Sequence, residues 1–234
     1  MLVRLNFALF LAVSLSFPIS APASQIDEDQ AGAWYMYFFN KDFSQSRFGF
    51  QGDIQHRNWD MGGDLEQLLV RGGLTYRPEA LAGKYTLGVA NITSGQFGRS
   101  DKTTSETRIY QEVLIPQQLG SRVFLRHRVR FEQRWVEDQD FRTRFRYGLF
   151  ADVPLNQPTL SGGAWYLALY NEIFVNGERD IGSGRQVDFY DRNRFYTALG
   201  YKLGDRGQIQ VGYMQQHTEA VSKGQFQISF HQAF

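Results

Sequence analysis

The sequence has no cysteine, so it offers neither a disulfide framework nor a thiolate metal site. It also lacks an excess of charge of either sign. Twenty-five basic against 24 acidic residues leave a formal charge of +1, which does not suit a strongly basic nucleic-acid binder. The four histidines show no ligand spacing, and no metal or cofactor is expected. Mean hydropathy is negative, which excludes a bundle of membrane helices. What is plentiful is glycine, with 23 residues, and aromatic side chains, at 15%. That composition suits a chain of many strands and turns.

The first 23 residues read as a targeting segment. Met1 and Arg4 form a short positive region, Leu5 to Phe17 an apolar core, and Ala21, Pro22 and Ala23 a small-residue cleavage site before Ser24. The core is too short to span a bilayer, and acidic residues follow at once, so a cleaved secretory signal is expected over 1–23 rather than a retained anchor. Residues 24–234 then form one domain, exported by a bacterial route.

Beyond the leader the period is two. Phe48, Phe50 and Ile54 alternate with Gln51, Asp53, Gln55 and Arg57, and Tyr85, Leu87 and Val89 with Thr86, Gly88 and Ala90. In VFLRHRVRFEQRW, Arg126, Arg128, Arg130 and Arg134 share one parity, while Val123, Leu125, Val129, Phe131 and Trp135 share the other. Eleven such segments are found, including GAWYMYFFN (32–40), which is apolar on both parities.

Alternation alone fits a soluble sandwich with the arginines outside or a membrane barrel with the arginines inside. Three features favour the barrel. Phe226, Ile228, Phe230 and the terminal Phe234 resemble the C-terminal assembly signal of bacterial outer-membrane barrels. Trp135, Trp165, Tyr76 and Tyr201 fall at strand ends on the apolar parity, where an interfacial girdle would lie. Connections around residues 93–105 and 176–186 are long and polar, whereas 118–121 and 204–207 are tight. The expectation is an all-β, antiparallel transmembrane barrel of the bacterial outer membrane with ten to twelve strands. Twelve is preferred because single-chain bacterial barrels have even counts. Eleven would start the first strand on the wrong side if the C-terminus is periplasmic.

The segments ETRIYQEV, RVRFEQRW, RFRYGLFADVPL, NEIFVNG, DRNRFYTALGYKL and QIQVGYMQQ resemble, in order and character, the outer-membrane barrel family catalogued as domain of unknown function 2490. The resemblance covers nearly all of 24–234 and implies a Gram-negative outer-membrane barrel. It carries over no activity and no catalytic residue.

An inward arginine parity places Arg126, Arg128, Arg130, Arg134, Arg142, Arg144 and Arg146 in the lumen, with Arg192 and Arg194 from a later strand. Arg108, Glu106, Glu112, Glu132 and Glu172 face them, so part of the charge is neutralised and the remainder could attract small anionic solutes. A hairpin loop centred on Gly120 would oppose residues whose numbers sum to 240: Glu112 with Arg128, Arg108 with Glu132, Glu106 with Arg134. Glu132 would also reach Arg142 or Arg144. Such a lumen serves a structural barrel closed by ion pairs or a porin-like small pore. The expected partners are outer-membrane lipids and the barrel-assembly machinery, not nucleic acid, because the aromatics lie opposite the arginines. A different class is a lipid-modifying barrel enzyme, a hydrolase or acyltransferase, using His127 or His56 on the apolar parity as base. No serine in a recognisable motif accompanies either; His217 and His231 fall near strand ends.

Overall fold

The computed structural model describes residues 26–98 and 100–234. The expected leader, 1–23, and its cleavage site lie outside the described residues. All elements within them are strands: β1 (Gly32–Asp42), β2 (Phe48–Asn58), β3 (Leu65–Tyr76), β4 (Lys84–Gly95), β5 (Thr103–Leu119), β6 (Val123–Val136), β7 (Arg142–Pro154), β8 (Trp165–Asn176), β9 (Tyr190–Lys202), β10 (Gly207–His217) and β11 (Ser222–Ala233). Each pairs with the next in antiparallel fashion, and β1 closes on β11 to complete a barrel.

That closure is parallel, running from Gly32 opposite Gln225 to Asn40 opposite Ala233. The count is eleven, within the expected ten to twelve but not the preferred even number, and the sheet is mixed rather than wholly antiparallel. An up-and-down meander with an odd count brings its first and last strands round in the same direction, so the first strand begins at the end opposite the C-terminus. The segment at 32–40 is thus a full wall strand. Its inward Trp34, Met36 and Phe38 line a cavity, and Tyr35 and Phe39 lie on the outer parity.

One end carries 59–64, 96–98, 100–102, 137–141, 177–189 and 218–221; the other carries 43–47, 77–83, 120–122, 155–164 and 203–206, with Phe234. The first long connection is shorter than the sequence suggests, because Thr93–Gly95 and Thr103–Ser105 extend β4 and β5. Both long connections still lie at one end and both tight turns at the other, although 155–164 adds a longer segment to the short-turn end.

The apolar parity faces outward. Val89 is 60% exposed, and Leu87, Val129, Phe145, Phe195, Val211 and Ile228 are exposed with it, while nine arginines are buried. A water-soluble sandwich buries the opposite set. Aromatic pairs cap the outer wall at both ends, Trp135 with Phe141 at the loop end and Trp165 with Tyr201 and Phe48 with Tyr76 at the short-turn end.

Inside, large rings lie over glycines on the facing strand. Gly88 opposes Tyr110 and Gly200 opposes Tyr166. A Cβ on Gly88 would stand 2.3 Å from Tyr110 Cζ. Tyr110 in turn lies under the Arg130 guanidinium, 4.6 Å from its centroid. Gly88→Val is therefore expected to destabilise the barrel by about 1–3 kcal/mol through overpacking. The denaturant midpoint of the purified protein checks this, and an unchanged midpoint would mean that Tyr110 is free to move away.

Candidate functional site

The lumen is built around shared carboxylates. Glu132 is 1% exposed; its Oε2 accepts from Arg144 Nη2 at 2.6 Å and its Oε1 from Arg146 Nη1 at 2.8 Å, with Arg108 and Arg130 each at 3.8 Å. Glu172 accepts from Arg128 and Arg146, both at 2.7 Å. Glu106 holds Arg108 at 2.6 Å and Arg134 at 2.5 Å, and Glu112 pairs with Arg130. Arg126, at the short-turn end, pairs with Asp152 at 2.8 Å, and Arg192 with Asp191 at 3.1 Å. Arg142 and Arg194 have no carboxylate within 4.0 Å among the described residues.

The register across β5 and β6 is not the expected one. Opposed residues sum to 242, placing Glu112 opposite Arg130, Tyr110 opposite Glu132, and Arg108 opposite Arg134. The hairpin loop is Gly120–Ser121–Arg122, with Gly120 at φ +58 as its first residue rather than its middle one. Like charges meet directly in this register, yet Arg108 and Arg134 both reach Glu106 and converge on its two oxygens. The direct-opposition rule fails because arginine is long enough to reach a diagonal neighbour. Of the two expected alternatives Glu132 reaches Arg144, and it holds Arg146 as well; Arg142 stands outside that group, and its Nε has no hydrogen-bond partner among the described residues.

Two lumenal acids come from irregularities in the ladder. Register shifts set Asn58 opposite Leu65 next to Arg57 opposite Gln67, and Val175 opposite Tyr190 next to Phe174 opposite Arg192. The extra residue on each strand, Glu66 and Asp191, turns against its neighbours' parity. Glu66 accepts from Trp34 Nε1 at 2.8 Å and Gln225 Nε2 at 3.2 Å, and Asp191 takes Arg144 Nη1 at 2.8 Å. A bulge re-aims a side chain in this way, and strict alternation conceals it. Asp53, on the inward parity, clamps Arg71. In all, nine arginines and Lys223 are buried against seven carboxylates, a cationic excess of three among the described residues.

The loop end is crossed by contacts between segments. Lys223, 1% exposed, donates to the carbonyls of Asp27 and Gln30, so the segment before β1 lies across this mouth. Loops 137–141 and 177–189 are tied together by Asp140 N–H to the Ile181 carbonyl. In loop 59–64, Asp60 Oδ1 accepts from the N–H groups of Gly62, Gly63 and Asp64, which hold its carboxyl below the ordinary range. Towards the short-turn end the lumen instead contains a cavity of about 230 Å³, reached past Gln208, Arg126 and His231. One wall is apolar, from Trp34, Tyr170 and Tyr196; the other carries Arg71, Arg128 and Arg146.

His127 lies on the outer parity, with Nδ1 2.9 Å from the Tyr147 hydroxyl and Nε2 2.8 Å from Gln117 Oε1. His56, exposed, contacts Asn58 at 3.3 Å. Among the described residues no serine or threonine bonds to either. The histidine that does meet a serine is His231, whose Nε2 is 2.9 Å from Ser229 Oγ inside the cavity. Their i, i+2 spacing on an inward parity was the available signal. Among the described residues no carboxylate bonds to Nδ1 to orient the ring as a nucleophile's base requires. Phe226 and Ile228 are exposed on the outer wall with Phe230 half-buried beside them, and Phe234 follows the last strand residue with its N–H on the Asn40 carbonyl. Among the described residues no group of side chains could hold a metal.

An uncharacterized protein of Methylorubrum extorquens is similar to this chain, 26% identical over 186 residues that cover 76% of this chain and 77% of the relative. No solved structure matches. The family model described as protein of unknown function DUF2490 matches residues 31–227, from just before β1 into β11. Because that match spans all but the last half-strand of the closed wall, the chain belongs to this family.

Proposed function

We propose that this protein is an outer-membrane β-barrel that does not conduct. Its lumen is locked by ion pairs in the middle and at the loop end, and opens at the short-turn end into a blind, cationic cup that takes up small anions. The observation that carries this reading is the combination of an apolar outer wall with Glu132 and Glu172 each clamped by two arginines across the lumen. An outward apolar belt suits lipid. An open anion pore needs cationic groups that face a continuous water path, whereas here most arginines are spent on carboxylates. With the C-terminus on the periplasmic side, as outer-membrane barrels have it, the cup faces the periplasm.

The test is recovery and conductance. The mature protein is expected in the outer-membrane fraction, migrating differently on gels before and after boiling, and silent in planar bilayers at neutral pH. Recovery as soluble periplasmic protein would overturn the membrane reading. Discrete anion-selective steps would overturn the closed lumen and restore the small pore.

A further inference from the structure

The deepest point of the cup holds two buried guanidinium groups without an acidic partner. Arg57 and Arg194 are 5% and 7% exposed. Both lie against Trp34, with Cζ 3.9 Å and 4.9 Å from its ring centroid. Neither has a carboxylate within 4.0 Å among the described residues. Arg57 spends its donors on Gln55 and Gln67. Among the described residues Arg194 makes one hydrogen bond, from Nε to Gln216 Oε1 at 2.8 Å, and lines the cavity with its terminal nitrogens unpartnered. The ring of Tyr196, a residue 2% exposed, also lines the cavity, while its hydroxyl is buried with no hydrogen-bond partner among the described residues. A buried cation costs free energy unless an anion or several acceptors meet it, and a buried hydroxyl costs less but in the same sense.

From this arrangement we propose that the cup is a binding site for a small organic anion with a flat apolar body, its carboxylate set against Arg194 and its body against the rings of Trp34 and Tyr170. Two independent features select that class. The unpartnered terminal nitrogens of Arg194 call for an acceptor with negative charge, and a carboxylate can take the two side by side. The wall beside them is aromatic, with Tyr170 and Tyr196 stacked at 4.8 Å, so it rewards a ring more than a hydrated inorganic ion. Size sets the upper limit. A cavity of about 230 Å³ lies below the roughly 300–1,000 Å³ of sites for drug-sized ligands, which leaves room for one or two rings. The proposal rests on the blind-cup reading above, but it can fail while that reading stands.

The experiment is calorimetric titration of the barrel in phosphatidylcholine nanodiscs with 2-naphthoate, the neutral 2-naphthamide and inorganic phosphate. Saturable one-to-one binding of 2-naphthoate is expected, at least about tenfold tighter than the amide or phosphate, since hydrogen bonds to charged groups carry that much discrimination. Arg194→Gln should weaken it by about tenfold or more. Tyr170→Leu, which removes a ring from the aromatic wall, should weaken it several-fold and serves if the arginine variant does not assemble. Amide binding as tight as naphthoate, or no effect of either variant, would overturn the site. Phosphate binding as tight as naphthoate would overturn the aromatic part. Absence of binding in a protein that is silent in planar bilayers would overturn the site and leave the closed barrel in place.

Discussion

Replacing Glu132 by glutamine is expected to lower the unfolding free energy by about 3 kcal/mol, the low end of the roughly 3–5 kcal/mol seen when one member of a buried pair is removed. The substitution keeps size and shape, so no cavity contributes. What is lost is the charge facing Arg144 and Arg146 at 2.6 Å and 2.8 Å, with Arg108 and Arg130 at 3.8 Å behind them. Each of these four keeps another acid: Asp191 for Arg144, Glu172 for Arg146, Glu106 for Arg108 and Glu112 for Arg130. Those remaining contacts are why the low end of the range applies. Glu79→Gln breaks an ion pair with Arg47 in which both side chains are well exposed, and should cost under about 1 kcal/mol. Denaturant unfolding of both variants checks the contrast. An equally small loss for both would mean that water reaches Glu132 and screens it, which a closed lumen does not allow.

That contrast also shows where the sequence is legible. The inside-out arrangement can be read from β6 alone, because four arginines on one parity and Val129, Phe131 and Trp135 on the other leave two folds to choose between. Period two is imposed by the pleat, so parity survives any error in register. Register itself is less visible. The expected sum of 240 rested on opposing unlike charges directly, but Glu106 reaches both Arg108 on its own strand and Arg134 on the next. Several registers therefore satisfy the same charges, and the choice falls to Gly120, which enters a left-handed conformation one position earlier than a loop centred on it would require. Bulges are hidden for a related reason. Glu66 and Asp191 face inward only because one extra residue interrupts the alternation, and no local composition marks the interruption. The cup depends on residues from β1, β2, β8 and β9 meeting across the lumen, and strand pattern carries no information about which lumenal side chains converge. Even the odd strand count follows from closure, since GAWYMYFFN looks the same whether it pairs with one neighbour or two.

Val89→Arg is expected to cost about 2–4 kcal/mol when the barrel is unfolded from lipid vesicles, the price of an arginine on the lipid face near the bilayer midplane. Val89 lies halfway along β4, points outward and is 60% exposed, between Leu87 on its own strand and Ile109 directly opposite on β5. Its side chain makes no lumenal contact, so substitution leaves the ion-pair network intact and isolates the effect of the surrounding medium. The same change at Leu155, exposed at the start of segment 155–164 just after β7, should cost only about 0–1 kcal/mol, because the penalty falls away towards the interface. In water the two positions would behave alike. An exposed valine exchanged for arginine on a soluble sheet usually shifts stability by no more than about 0.5 kcal/mol. A steep dependence on depth along the strand therefore reports lipid around the belt. Equal and small losses at Val89 and Leu155 would show that the apolar face is covered by something other than a bilayer, and the outer-membrane reading would fall with that result.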